Sequence, residues 1–357
     1  MREAVTLEPG RIELRDIASP PRPRSGEALL EIAAVGLCGS DLELFKGTDP
    51  YSHFPARQGH EYSARIIELG PDHLGPLLVG DLVAVEPLLP CHHCIACRRG
   101  HPNCCVNLRV TGGQIDGAFV DQFIMPVANL YAANDLTPAE AAFVEPVSIG
   151  LQMVSRSGVR AGDQAVVFGA GPIGQSVILA ARERGARILA VDRLTQRLAI
   201  AEELGVERTV DASSDDLAAA LKDWTDGDGP VVVFEATGAP GVMRTALEVV
   251  AHAGTVVVAG TPTEEVSIPP FLIVYKELNI LGSRNNAGVF GEAVEIVRRN
   301  RALVRRLITH TFPLERVQEA IEFAIANPRV AEKVMIAVSS EARLGGSANA
   351  VAAAGGA

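Results

Sequence analysis

Cysteines are concentrated in one short segment of the chain, where five of the six fall between Cys91 and Cys105. Thiolates at such close spacing can surround one tetrahedral ion, which is the closed coordination of a structural zinc site. The set comprises Cys91, Cys94 and Cys97, closed by Cys104 or Cys105. Because the N-terminal residues lack the apolar core of an export signal, we expect a reducing compartment, where clustered thiols bind metal rather than form disulfides.

A glycine-rich loop points to a second kind of chemistry. The residues Gly169-Ala170-Gly171-Pro172-Ile173-Gly174 follow directly after the apolar segment Gln164–Phe168 and precede a helical pattern. In a dinucleotide-binding loop the first glycine permits a tight turn and the second lets the backbone approach the pyrophosphate, while the third allows close packing of helix on strand. The sequence therefore predicts a dinucleotide with its pyrophosphate at the helix N-terminus.

Three charged residues bear on which dinucleotide binds. Asp192 lies eighteen residues beyond Gly174, where a carboxylate can accept hydrogen bonds from the adenosine ribose hydroxyls. Its negative charge would repel a 2′-phosphate, which favours NAD over NADP. Arg193 and Arg197 follow closely and would soften that repulsion, so NADP is the less favoured alternative.

Further side chains of metal-ligand type are dispersed along the chain. Cys38 follows an apolar segment, His60 and Glu61 are adjacent, and Glu145 lies about 80 residues later. Cysteine, histidine and glutamate are all zinc ligands. Spacing alone does not join them, because a single cysteine in an apolar segment is also a common small core residue.

The elements that must carry these residues divide the chain into parts of different character. Residues 1–146 contain short alternating segments broken by glycine and proline, which predict a β-rich domain with strands such as Ala28–Ala33, Ser63–Glu68 and Leu82–Glu86. Residues 147–283 alternate six strands with crossover helices, which predicts a doubly wound parallel sheet. The strands are Gln164–Phe168, Arg187–Val191, Arg208–Val210, Val231–Glu235, Thr255–Ala259 and Asn279–Gly282, and the helices are Ile173–Arg184, Gln196–Leu204, Asp215–Trp224 and Val242–Ala251.

The last part of the chain has no place in a completed six-stranded sheet. Residues 284–338 contain helical patterns near Phe290–Arg299 and Leu314–Ala326 and a last strand, Lys333–Val338, and we expect them to return to the first domain. The segment Ser339–Ala357 consists mainly of alanine, glycine and serine without periodicity, so we expect it to be disordered.

The overall composition restricts the partners of the protein. A formal net charge of −11 and a pI near 5.3 repel phosphate backbones and anionic lipid headgroups. No apolar run approaches the roughly 20 residues that a membrane-spanning helix needs. We therefore expect a cytoplasmic protein that acts on a small molecule, with neither nucleic acid nor membrane as a partner.

Several motifs occur in an order that resembles one known family. Over residues 1–338 the chain is similar to the zinc-containing alcohol dehydrogenase branch of the medium-chain dehydrogenase/reductase superfamily. The motifs that carry the resemblance are Cys38-Gly39-Ser40-Asp41, Gly59-His60-Glu61, Gly70, Gly80-Asp81, the cysteine segment with Gly100 and Asn103 ahead of Cys105, Glu145-Pro146, and the glycine-rich loop.

The resemblance implies an α/β fold with two domains. A GroES-like catalytic domain would cover residues 1–146, with a structural-zinc lobe at about 88–106, and a Rossmann NAD-binding domain would cover residues 147–283. Within the lobe, Cys105 rather than Cys104 would be the fourth ligand. Homo-oligomers, dimers or tetramers, are common in such families, so a homo-oligomer is expected.

The same resemblance implies a second, catalytic zinc ion. Its protein ligands would be Cys38, His60 and either Glu61 or Glu145, with one position left open for water or substrate. A glutamate at position 145 is typical of polyol and threonine dehydrogenases, whereas other alcohol dehydrogenases of the branch have a cysteine there. Bound zinc would activate the substrate hydroxyl as a Lewis acid while NAD accepts a hydride.

Ser40 is the residue expected to move the proton. It is placed to take the proton of the substrate hydroxyl and relay it through the nicotinamide ribose; alternatively, it simply caps a helix that begins near Asp41. Many relatives have a histidine three residues after this serine as the exit of the proton path, and this chain has Glu43 there. The outward path of the proton is therefore open.

The substrate is expected to meet the turn Leu281-Gly282-Ser283-Arg284-Asn285-Asn286. Ligands of open α/β sheets gather at the carboxyl ends of strands, and Arg284 offers a planar fork for a carboxylate, with Asn285 and Asn286 as hydroxyl partners. Arg284 in an ion pair or a subunit contact is the alternative. We expect oxidation of a secondary alcohol on a polyol or sugar acid, as in a hexonate 5-dehydrogenase. Threonine 3-dehydrogenase-like, sorbitol dehydrogenase-like and non-catalytic nucleotide-binding functions are the alternatives.

Overall fold

The computed structural model describes residues 1–48, 53–260 and 264–345. These residues form two compact units, of which one combines Met1–Glu145 with the chain from Val297 onward and the other is Pro146–Ile296. No helix in these ranges is long and apolar enough to cross a lipid bilayer.

Strands and helices are numbered here in chain order. The strands are β1 Arg2–Glu8, β2 Arg11–Asp16, β3 Glu27–Gly36, β4 Glu61–Leu69, β5 Leu82–Val85, β6 Leu88–Leu89, β7 Arg109–Val110, β8 Gln122–Pro126, β9 Leu130–Ala132, β10 Gln164–Phe168, β11 Arg187–Asp192, β12 Arg208–Asp211, β13 Val232–Glu235, β14 Thr255–Val258, β15 Asn279–Gly282, β16 Ile308–Pro313 and β17 Lys333–Ala337. The helices are α1 Gly39–Lys46, α2 Ile95–Arg98, α3 Pro138–Ala142, α4 Val144–Ser157, α5 Pro172–Glu183, α6 Thr195–Glu203, α7 Leu217–Trp224, α8 Pro240–Val249, α9 Pro270–Lys276, α10 Phe290–Arg299, α11 Arg301–Leu307, α12 Val317–Ala326 and α13 Ser340–Gly345.

The first unit is built on a seven-stranded sheet in the order β16-β17-β3-β4-β5-β9, with β8 also paired to β3. Alternate apolar side chains along the long strands, such as Leu30, Ile32 and Ile66, are fully buried and form its core. The register aligns Gly36 of β3 with Glu61 of β4 on one side and with Met335 of β17 on the other. Three strands therefore meet beside the predicted metal ligands.

The second unit is a six-stranded parallel sheet in the order β12-β11-β10-β13-β14-β15. Counted from β10, this is the order 3-2-1-4-5-6 of a doubly wound dinucleotide-binding sheet, in which the strand order reverses beside β10. Its strands are almost continuously apolar, as expected for a parallel sheet buried on both faces. The predicted fold class is confirmed, and all six predicted strands are present.

The structure departs from the expected arrangement near the C-terminus. The second unit extends to Ile296 rather than Ser283, because the backbone N–H of Ala287 donates to Gln152 and Glu292 pairs with Arg184. The helix α11 and the strand β16 were not predicted. The expectation of disorder from Ser339 is wrong for α13, whose Glu341 pairs with Arg65 of β4, whereas residues 346–357 lie outside the described ranges.

Candidate functional site

Four thiols of the cysteine segment converge on one point. The Sγ atoms of Cys91, Cys94, Cys97 and Cys105 all lie within 4.8 Å of one another. Short turns bring the thiols together, because α2 begins directly after Cys94. The strands β6 and β7, which flank the cysteine segment, pair with each other. Four sulfur donors at this spacing fit a tetrahedral zinc ion.

Backbone hydrogen bonds reach thiols of this cluster, among them those of Cys94 and Cys105. Cys105 is buried, and its sulfur accepts from the backbone N–H groups of Cys91 and Asn107 at 3.3 Å. Backbone donors, first that of Cys97, lower the pKa of Cys94 to about 6, whereas desolvation and the neighbouring Cys94 side chain raise the pKa of Cys97 to about 12. Cys104, by contrast, is exposed and lies outside the cluster. The structure thus places Cys105, not its neighbour, with the other three thiols.

A second cluster lies where β3 ends and β4 begins. Ligand atoms of Cys38, His60 and Glu61 lie within 4.8 Å of one another. Cys38 is the N-cap of α1, so the alternative that Ser40 caps a helix starting near Asp41 is wrong. Ser40 is instead exposed in the first turn of α1.

The charges of the second cluster favour a cation. Burial by itself lowers the pKa of His60, but the neighbouring acidic groups, first Cys38, outweigh burial and raise that pKa well above its usual value. Burial raises the pKa of Glu145 to about 7; the charge of His60 opposes this increase, and the charges of Glu61 and Asp41 add to it. Sulfur, nitrogen and carboxylate donors in a negative environment fit zinc.

Asp41 braces the backbone of both ligand-bearing segments. Its carboxylate accepts from the backbone N–H of Cys38 at 2.9 Å and from that of Gly59 at 3.4 Å. Gln58 donates to the carbonyl oxygen of Asp41 at 2.8 Å and accepts from the hydroxyl of Thr6 at 2.6 Å. Asp41 therefore acts as a positioning residue that joins the start of α1 to the approach of β4.

Lys333 is a member of this cluster that the sequence analysis missed. Its ammonium group donates to both carboxylate oxygens of Glu61, at 2.8 and 2.6 Å, and to the carbonyl oxygen of Leu37 at 3.0 Å. Both charged residues are buried. The only available clue was a lysine at the start of an otherwise apolar strand, β17.

Glu145 approaches the same cluster from a helix. It lies in the first turn of α4 and is buried, where its acidic charge is favoured near the helix N-terminus. Its carboxylate is not part of the close group that Cys38, His60 and Glu61 form. The structure therefore brings both candidate glutamates to the cluster, Glu61 more closely.

The glycine-rich loop has the geometry expected of a dinucleotide site. Gly169 has a φ of +89°, which favours glycine, and Gly171 is the N-cap of α5, with Pro172 as its first residue. A Cβ at Gly174 would lie 1.7 Å from the carbonyl oxygen of Gly169, so helix and strand approach as closely as the motif requires. Ile173 follows within the first turn, at the positive end of the helix dipole.

Asp192 has a structural task besides the predicted one. Its carboxylate accepts from the backbone N–H of Ala170 at 2.8 Å and from that of Leu194 at 2.9 Å, which ties the glycine-rich loop to β11. The guanidinium group of Arg197 lies over the loop, 3.3 Å from where a Cβ of Gly171 would be. Arg193 is exposed.

The predicted substrate turn follows β15 in the second unit. Arg284 is exposed, and Asn285 is half-buried with a φ of +48°. Asn286 is buried, and its amide has no hydrogen-bond partner within the part of the chain that the structure describes. The structure therefore presents Arg284 and Asn285 to a ligand more openly than Asn286.

Two family models match the chain, the alcohol dehydrogenase GroES-like domain over residues 24–135 and the zinc-binding dehydrogenase over residues 172–299. A zinc-type alcohol dehydrogenase-like protein of Haemophilus influenzae is 34% identical over 321 residues, which cover 89% of this chain and 94% of the relative. This chain belongs to the zinc-containing alcohol dehydrogenases. The resemblance read from the motifs is confirmed, and the protein is an oxidoreductase of this class.

Two further similarities indicate the substrate class of this alcohol dehydrogenase. The L-galactonate-5-dehydrogenase of Escherichia coli K12 is 32% identical over 311 residues, covering 87% of this chain and 91% of the relative. The solved structure of an alcohol dehydrogenase, rspB from Escherichia coli CFT073, complexed with NADH, matches with a TM-score of 0.86 and 27% identity. The match covers 95% of this chain and 99% of the rspB chain. A polyol or sugar-acid dehydrogenase is thus supported as the general class.

The two adjacent cysteines provide a matched pair of variants for the thiol cluster. Cys105→Ser is expected to lose one zinc per chain and to lower the thermal unfolding midpoint, because the binding energy of a structural ion contributes to folding. Cys104→Ser should keep the zinc content and the midpoint of the unmodified protein. Metal analysis and circular dichroism measure both. Equal zinc content in all three proteins would contradict the assignment.

Proposed function

We propose that this protein oxidises a secondary hydroxyl group of a sugar acid to a ketone with NAD, and catalyses the reverse reduction. The cluster of Cys38, His60 and Glu61 is the observation that carries the proposal, because its donor types fit zinc and its members are prepositioned by hydrogen bonds. Glu145 is the second glutamate near this cluster and the alternative to Glu61 as a ligand.

When bound, zinc would polarise the substrate oxygen as a Lewis acid, and the nicotinamide of NAD would accept a hydride. The residues of the chain bind and orient these groups and handle the proton. Ser40, two residues from Cys38, accepts the proton that the substrate hydroxyl loses while it donates its own hydroxyl proton onward. Glu43 is exposed three residues later, on the same face of α1, where it can pass the proton to solvent.

The nucleotide is proposed to be NAD, bound across the carboxyl end of β10. The backbone of Gly171 and the N-terminus of α5 would receive the pyrophosphate, with Arg197 beside it. Each oxygen of Asp192 has one backbone donor and retains capacity for a ribose hydroxyl. Its negative charge opposes a 2′-phosphate, while Arg193 and Arg197 would favour one.

The sugar-acid assignment depends on Arg284. It is exposed in the turn after β15, at the carboxyl edge of the parallel sheet, where ligands of this fold bind. A guanidinium fork can engage a carboxylate through two parallel hydrogen bonds, and a neutral polyol cannot use this feature fully. The similarity to an L-galactonate-5-dehydrogenase supports a six-carbon acid.

A second copy of this chain is proposed to cover one apolar surface of the second unit. In α9, five consecutive residues, 271–275, are apolar and none is buried. Phe271, Val274 and Tyr275 are 68, 80 and 63% exposed, together on the order of 400 Å² of side-chain surface, which two copies would double. Stable interfaces bury about 1,200–2,000 Å² in total, and the adjoining edge strand β15 can contribute the remainder. We therefore propose a homo-oligomer.

A matched pair of substrates tests the sugar-acid proposal. L-galactonate should be oxidised with a higher kcat/KM than galactitol, which has a hydroxymethyl group in place of the carboxylate. Arg284→Ala should reduce kcat/KM for L-galactonate by about a hundredfold and leave galactitol nearly unchanged. Arg284→Lys should recover part of the loss, since it retains charge without the fork. Preference for neutral polyols or threonine by the unmodified enzyme would refute the sugar-acid assignment.

The role of Asp192 predicts a change of cofactor preference. Asp192→Asn retains an acceptor for one backbone N–H but removes the charge, so the ratio of kcat/KM for NADP to that for NAD should rise. Asp192→Ser should raise the same ratio and also increase KM for both cofactors, because the loop loses its tether to β11. Steady-state kinetics with both cofactors measure the effect. A ratio equal to that of the unmodified enzyme in both variants would be incompatible with the assignment.

The oligomer proposal predicts that Val274→Glu lowers the molar mass seen by light scattering. A carboxylate at the centre of an apolar contact would have to be desolvated, which weakens association. Leu74→Glu is the control, because Leu74 is 98% exposed on the first unit. A monomeric mass for the unmodified protein, or an unchanged mass for Val274→Glu, would rule out this surface as the contact.

A further inference from the structure

A buried carboxylate lies at the end of β13, on the edge of the parallel sheet where the nucleotide is proposed to bind. Glu235 is the last residue of this strand and is 1% exposed. In the pairing of β10 with β13 it lies opposite Phe168, the residue before the glycine-rich loop. The strand order reverses at β10, so Glu235 stands at the point of the sheet that a dinucleotide crosses.

The hydrogen bonds of Glu235 suit an ionised carboxylate. Its Oε1 accepts from the backbone N–H of Thr237 at 2.8 Å, from that of Gly238 at 3.1 Å and from the hydroxyl of Thr237. Three donors on one oxygen stabilise its negative charge. The other oxygen, Oε2, would lie 2.6 Å from a Cβ at Gly260, so the carboxylate fills the space above that glycine.

No side-chain cation balances this charge within the residues that the structure describes. Three other buried glutamates, Glu3, Glu61 and Glu140, each pair with an arginine or a lysine. Glu235 has no such ion pair there. Because a buried charge without a counter-ion is unfavourable, a bound cation near the end of β13 would be stabilised.

The second half of the nucleotide supplies a positive charge. The glycine-rich loop and Asp192 belong to the half β10-β11-β12, which leaves the half β13-β14-β15 for the nicotinamide. The nicotinamide ring is a cation in NAD⁺ and neutral in NADH. The turn that Glu235 holds adjoins the loop, since a Cβ at Gly169 would lie 2.8 Å from Cγ2 of Thr237.

We propose that Glu235 sets the relative affinity for the two forms of the cofactor: its buried negative charge favours the cationic ring of NAD⁺ over the neutral ring of NADH. It acts through its charge, without contact to the ring, and is a specificity-determining residue. Such an attraction is strong where water is excluded. Weaker retention of NADH eases its release after oxidation of the alcohol. The inference rests on the proposed function, in which NAD binds across the end of β10.

A matched pair of ligands tests the inference on the unmodified protein. NAD⁺ and its analogue with benzamide in place of nicotinamide both have a planar ring, but the benzamide ring is neutral. Calorimetry should show that NAD⁺ binds about tenfold more tightly than the benzamide analogue. Equal dissociation constants would overturn the inference. ADP-ribose, which lacks the ring, measures the affinity of the rest of the site.

Variants identify the source of the preference. Glu235→Gln keeps the shape and an acceptor for the backbone donors, so it should weaken NAD⁺ about tenfold and leave the benzamide analogue, NADH and ADP-ribose unchanged. Thr237→Val removes one donor but no charge, so it should keep the preference for NAD⁺ over the analogue. Glu248→Gln is the control, because this exposed carboxylate of the same unit pairs with Arg244 and is screened by water and salt.

Other outcomes would reject the role of Glu235. If Glu235→Gln weakens all four ligands equally, the residue only braces the turn after β13. If the preference for NAD⁺ over the benzamide analogue persists in Glu235→Gln, the charge of this residue does not cause it. Should Glu235→Gln not fold, the comparison of NAD⁺ with the analogue in the unmodified protein decides.

ADP-ribose separates this inference from the proposed function. If the unmodified protein binds neither ADP-ribose nor either form of the cofactor, the nucleotide site is wrong and the proposed function fails with it. If ADP-ribose binds but NAD⁺ and the benzamide analogue bind equally, the nucleotide site stands and only the role of Glu235 is wrong.

Discussion

A charged pair removed from water must be satisfied by its partners, and the pair Lys333–Glu61 imposes this requirement on the centre of the first unit. The two residues are 272 positions apart in the chain, yet Nζ of Lys333 lies 2.8 Å from Oε1 and 2.6 Å from Oε2 of Glu61. The contact fixes β17 against β3 and β4, and it sets the carboxylate beside Cys38 and His60. Because removal of either partner would leave a buried charge, strand register and metal-site geometry depend on each other.

The backbone of the metal site and the backbone of the nucleotide site are positioned in the same way. At both sites a carboxylate accepts hydrogen bonds from two backbone N–H groups and so joins two parts of the chain. The carboxylate is that of Asp41, at the start of α1, in the metal site and that of Asp192, at the end of β11, in the nucleotide site. Such charge-assisted hydrogen bonds are stronger than neutral ones, and here they connect segments that are separate in the chain. The groups that contact the ion or the nucleotide are thereby positioned by acids that need not contact either.

Local patterns made much of this predictable from the sequence. The strands Gln164–Phe168 and Asn279–Gly282 have the predicted bounds. For Gln164–Phe168 the signal was local, because strand, glycine-rich loop and helix follow one another directly in the chain. The thiols of the cysteine segment converge because their spacing in the chain is short. Lys333 could not be found this way, because pairing over 272 residues leaves no periodic trace. Helix α11 was missed because three of its seven residues are arginines, which interrupt its apolar pattern, and two of them, Arg301 and Arg305, pair with the buried Glu140.

The position of Lys333 near the end of the chain has a consequence for biosynthesis. Cys91–Cys105 leave the ribosome within one short stretch, so their ion can bind while the rest of the chain is still being made. Glu61 emerges early but acquires its counter-ion only when β17 has been translated and has joined β3. During that interval the nascent chain presents Cys38, His60 and an unpaired Glu61, a set able to capture divalent cations before folding ends. Entry of β17 into the sheet therefore completes the ion pair beside Cys38 and His60.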